Sequence, residues 1–143
     1  MFRTYLFLGI LTATLASVGA VGYASFFNKN LFDFSLALGN VSIVAACFVS
    51  AILMSIGAFF INKAMPKRGE IIFNFLLTSV TFLSILVPLK FQIPPVILAQ
   101  ITAVNFEGVE GFFPIFVIPM HFFPAMMWYS LRPLFFKNTT RGI

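Results

Sequence analysis

Four long apolar runs, separated by short charged segments, set the pattern of hydrophobic and polar positions along the chain. The first extends from about Tyr5 to Phe26 and the second from about Leu36 to Ile61, and neither contains a charge. The third, about Ile71 to Leu89, is bounded by Glu70 and Lys90, and the fourth, about Phe112 to Phe136, is uncharged until Arg132. A helix rising about 1.5 Å per residue needs roughly 20 apolar residues to cross about 30 Å of hydrocarbon, so each run has the length of a membrane span. Strands of a membrane barrel would instead show short stretches of alternating polarity, and these runs do not alternate. The pattern predicts an all-α membrane protein: a four-transmembrane-helix bundle forming one integral domain over residues 1–143.

Between the third and fourth runs, Gln92 to Gly111 has a different rhythm. Pro94-Pro95 suits a helix start, where the missing N–H costs nothing. Ile93, Val96, Ile97, Ile101 and Val104 then recur at helical spacing, with Gln92, Gln100 and Thr102 elsewhere around the wheel. A short amphipathic interfacial helix is expected here, ending near Asn105 and lying across the bundle mouth as a surface segment or a lid.

Composition agrees with this reading. The chain is 60% hydrophobic and only 9% charged, whereas a soluble surface needs about a quarter of its residues charged. Charge then orients the spans. Arg3, Lys63, Lys67, Arg68, Arg132, Lys137 and Arg141 share one side with Glu70. The other side holds Lys29, Lys90, Asp33, Glu107 and Glu110. Basic residues favour the cytoplasmic side, so both termini are expected inside, in a plasma (inner) membrane. The net charge of +5 then reflects topology and attraction to anionic lipid. No basic–aromatic motif points to nucleic acid.

The first run has a second reading. Arg3, the apolar stretch Leu6 to Leu15 and the small residues Ala20 and Ala24 follow the order of a cleavable secretory signal. The apolar stretch continues to Phe26, longer than a usual signal core, which favours a retained span.

His121 is the lone histidine and the lone ionisable residue in the interior of a run. Helical spacing gives it a face with Val117, Ala125, Trp128 and Arg132. An unpaired imidazole in hydrocarbon costs several kcal/mol, so it is expected to point into the bundle. Pro119 and Pro124 remove helical N–H groups and free carbonyls near Ile115 and Met120, one of which the ring can satisfy. A hydroxyl on the third span is another expected partner. The functional alternatives are a proton relay, a ligand anchor or a haem ligand, the last needing a second copy or a methionine. Asn74 shares one side of the third span with Thr78 and Thr81, a stripe that either joins helices or meets a polar ligand. His121, Asn74, Thr78 and Trp128 are therefore the ligand or proton-relay candidates. No catalytic residue, metal cluster or cofactor is predicted.

Gly9, Ala13, Ala16 and Ala20 form a small-residue seam on the first span, and Ser42, Ala46, Ser50 and Gly57 form one on the second. Such seams let helix backbones approach where lipid gives no hydrophobic drive, so these spans are expected to pack together or with a second copy. Cys47 is a lone mid-span thiol, read as a small core residue. Glu107 and Glu110 lack the fixed geometry of an acid–base pair and are read as orientation charges. Arg132-Pro133 is read as an interfacial stop, the arginine snorkelling beside Trp128 and Tyr129 in an aromatic belt.

The basic turn Lys63 to Arg68, the run Leu83-Ser84-Ile85-Leu86-Val87-Pro88-Leu89, and Met120-His121 followed by Ala125 and Leu131-Arg132 carry a resemblance. Over most of its length the chain resembles a family of small four-span bacterial membrane proteins classed as a domain of unknown function. That resemblance implies a fold and no activity. Three functional classes follow from the residues. A non-enzymatic accessory, structural or partner-binding protein, with the lipid bilayer, a homo-oligomer or a larger membrane complex as partners, fits the seams and the lack of carboxylates within the spans. A small transporter or channel subunit rests on His121 in a proline-broken helix. A redox or enzyme subunit has no nucleophile–base pair to support it.

Overall fold

Hydrophobic length and proline placement account for most helix boundaries. The computed structural model describes residues 1–101 and 108–136. Its helices are α1 (Phe2–Asn30), α2 (Asn40–Ala64), α3 (Gly69–Ser84), α4 (Leu86–Lys90), α5 (Pro95–Ile101) and α6 (Phe113–Phe135), the last entered through a 3₁₀ turn, Val109–Phe112. Four helical stretches are long and apolar enough to cross a membrane: Phe2–Asn30, Asn40–Ala64, Gly69–Lys90 and Val109–Phe135. They match the expected runs; the first and third reach further at both ends, the second begins at Asn40 and not Leu36, and the fourth begins earlier, at Val109. The third is interrupted at Ile85, because Pro88 has no N–H for the Ser84 carbonyl.

Aromatic and charged contacts show which helix ends meet. Tyr5 stacks on Phe136 at 4.5 Å, Phe2 meets Phe59 at 5.1 Å, and Arg132 pairs with Glu70. The start of α1, the α2–α3 turn and the end of α6 therefore share one end, which also carries Arg3, Lys63, Lys67 and Arg68. We call it the basic end. At the far end Phe27, Phe34 and Phe116 pack with centroids 5.0 to 6.1 Å apart. Asp33 accepts the Ser35 amide at 2.9 Å, and Asn28 accepts the Phe34 amide at 3.1 Å. These bonds turn the chain so that Phe34 is fully buried.

The inner helix is α1, packed between α2 and α6. Leu8, Ala13, Ala16, Ala20 and Ala24 are completely buried, so cleavage near Ala20 or Ala24 would cut through the core. A Cβ on Gly9 would lie 3.1 Å from the Ala51 carbonyl and 3.0 Å from Ser55 Cβ, so α1 and α2 touch nearly backbone to backbone. The seam predicted on α1 thus packs on α2, but on a different α2 stripe: Ala51, Ser55 and Ala58, all fully buried. Ser42 and Ala46 are exposed instead, and Gly57 faces Phe73 of α3.

Helix α5 begins where the prolines predicted. Ile93 and Ile101 are buried in the far-end cluster, with Ile97 and Leu98 partly buried against it. Val96, expected on the same face, is 74% exposed, because the helix turns it away from the bundle. Thr102, Val104, Asn105 and Glu107 lie outside the described residues, as do Lys137 and Arg141.

Candidate functional site

Helix α6 stays helical through Pro119, Pro124 and Pro133. The broken helix expected from these prolines is not seen, since side chains and neighbours can re-satisfy the carbonyls they free. One repair is visible. Pro119 leaves the Ile115 carbonyl without a donor, and Tyr23 of α1 supplies its hydroxyl at 3.1 Å. Among the described residues, the His121 imidazole has no hydrogen-bond partner. The expected bond from the ring to a proline-freed carbonyl is therefore not formed, and an α1 tyrosine takes the carbonyl near Ile115.

The imidazole faces a groove of about 620 Å³ bounded by α2, α3 and α6. Helix α2 lines it with Ser42, Ile43, Ala46, Cys47, Ser50 and Met54. Helix α3 contributes Phe73, Leu77, Val80, Thr81 and Ser84, and α6 contributes Val117, Met120, His121, Pro124 and Ala125. The second small-residue seam thus forms a groove wall: short side chains at Ser42, Ala46 and Ser50 leave the space. Ser42, Ala46, Leu53, Leu76 and Val80 are exposed, so the groove opens sideways between α2 and α3.

Its polarity is graded along its length. By their places on the helices, Ser42, Cys47, Ser50, Thr81, Ser84 and His121 all lie in the half nearer the far end, together with Leu38, Ile43, Ala46, Val117 and Met120. Toward the basic end the walls are apolar, with Leu53, Met54, Phe73, Leu76 and Leu77. Among the described residues no Lys, Arg, Asp or Glu lines the groove. The hydroxyls of Ser50, Thr81 and Ser84 donate to carbonyls of their own helices, at 3.0, 2.8 and 2.7 Å, which leaves their lone pairs as acceptors.

The other candidates lie elsewhere. Tyr129 donates to the Asn74 carbonyl at 3.0 Å and so accepts from the Thr78 hydroxyl at 2.9 Å. Asn74 and Thr78 thus join α3 to α6 at its edge, while Asn74 Oδ1 is buried without a partner. Trp128 is fully buried, its ring 5.5 Å from that of Phe73, and its indole nitrogen is unpartnered. It sits in the core and not in an aromatic belt. Arg132 does not snorkel freely, because Glu70 on the adjacent turn of α3 takes its guanidinium. The four predicted residues do not converge; His121 alone lines the groove.

Sequence reasoning missed Tyr23 and Tyr129, two of the three tyrosines in the chain, both bonded across helices. A signal was present, since a phenolic hydroxyl within an apolar run needs a partner. Among the described residues no group of His, Cys, Asp or Glu is arranged to hold a metal. Comparison of the chain with protein-family models, with curated proteins and with solved structures returns no match.

Proposed function

We propose that this chain is an integral four-span protein of the plasma membrane, with both termini cytoplasmic, that acts by binding within the lateral groove of its bundle. It is an accessory binding component and not an enzyme. The observation that carries this reading is the unpartnered His121 ring in a sideways-opening groove. Tyr23 and Tyr129, which join helices, are hydrogen-bonded across them, and Asn74 and Trp128, which are unpartnered, do not line the groove; His121 differs from both pairs. Gathering of the described basic clusters at one end supports the cytoplasmic placement of that end. The transport reading loses part of its support, because α6 runs on as one helix through its prolines and is not unwound.

Native mass spectrometry of the protein released from membranes in mild detergent tests this. The expected spectrum of the wild type contains a bound molecule in stoichiometric amount, absent from an Ala46→Trp variant whose indole fills the groove. A bare mass for the wild type, identical in behaviour to the variant, would overturn the reading.

A further inference from the structure

The groove's chemistry defines the class of molecule it takes, given the binding reading above. We infer that it holds an uncharged lipid bearing a hydroxyl group, with that hydroxyl at His121 and the hydrocarbon chain running toward the basic end. The graded lining suits an amphiphile: the polar lining residues lie on the far-end halves of their helices, among Leu38, Ile43, Val117 and Met120, and the lining toward the basic end is apolar. Charge selects against ionised head groups. A phosphate or carboxylate placed there would meet no lysine or arginine among the described lining residues and would lose its hydration without compensation.

Hydrogen-bond inventory narrows the class further. A neutral imidazole offers one N–H donor and one bare nitrogen acceptor, and among the described residues neither has a partner. Ser50, Thr81 and Ser84 have committed their hydrogens and present acceptors. A hydroxyl can accept from the imidazole N–H and donate to one of these oxygens, so it satisfies both kinds of group at once. A simple carbonyl satisfies the donor alone. The opening between α2 and α3 faces the hydrocarbon in the proposed topology, so a lipid reaches the groove without passing through water.

Photolabelling in phosphatidylcholine nanodiscs tests this with three probes sharing a diazirine-bearing 16-carbon chain, ended as an alcohol, a carboxylate or a plain alkane. The alcohol should label α2, α3 and α6 residues of the groove. His121→Leu should reduce that labelling about tenfold, as loss of one hydrogen bond in a dry site implies. Carboxylate and alkane should label the wild-type groove no better than the alcohol labels His121→Leu. Equal groove labelling by the three probes, or indifference to His121→Leu, overturns the head-group inference while leaving the groove as a binding site. Absence of groove labelling by any probe, with Ala46→Trp indistinguishable from wild type, overturns both.

Discussion

A proline inside a helix frees a carbonyl, and the identity of the donor that finds it separates residues that hold the bundle from residues left over for binding. The Ile115 carbonyl takes the Tyr23 hydroxyl, which fastens α1 to α6 near the far end. Tyr23→Phe should therefore lower stability by about 1 kcal/mol, measured by steric trapping or thermal unfolding in detergent. His121→Leu breaks no hydrogen bond among the described residues, so it should leave insertion, expression and unfolding unchanged while altering binding. A drop in stability as large as that of Tyr23→Phe would show that the ring is structural. The sequence flagged His121 because an ionisable group in hydrocarbon needs a reason. It could not show that a tyrosine far away in the chain would occupy the carbonyl, since that pairing depends on the rotation of α1 against α6.

Element boundaries were readable because length and proline act locally. Four apolar runs became four long helical stretches, and Pro94-Pro95 opened α5 where expected. Which face of each helix meets which neighbour was less readable. Two small-residue seams looked alike, yet Gly9 packs on Ala51 and Ser55, while Ser42, Ala46 and Ser50 wall the groove. Small residues permit close approach but do not enforce it. The distinction is testable. Gly9→Leu places its side chain on the Ala51 carbonyl and should cost about 1–3 kcal/mol or prevent folding, whereas Ala46→Leu should be tolerated. Gly69 is a second close contact: an added Cβ would lie 2.8 Å from both the Ile61 carbonyl and the Asn62 Cα. Gly69→Leu should push α3 from α2 at the basic end, read as a longer spin-label distance between those helices. An unchanged distance would show that this contact does not fix the angle of α3.

At the scale of the whole molecule, α1 lies between α2 and α6, and α3 leans on the assembly at its edge. That arrangement produces the groove, because α3 is joined to α6 through Tyr129 and packs on α2 beside Gly69. The Arg132–Glu70 pair adds little to it, about 0–1 kcal/mol, since Glu70 is largely exposed. With the basic clusters at one end, reporter fusions at either terminus should be active only in cytoplasmic form, and a periplasmically active fusion at either end would contradict the topology. The most direct test of the central claim uses the fact that the chain contains a single histidine. In deuterated protein with protonated histidine and protonated Ile, Leu, Val and Met methyl groups, held in lipid nanodiscs, the ring protons of the single histidine can be observed without assignment. The account predicts nuclear Overhauser contacts from that ring to lipid-chain methylenes in the groove. Contacts confined to protein side chains would contradict it, because the ring would then be packed and α3 closed over it.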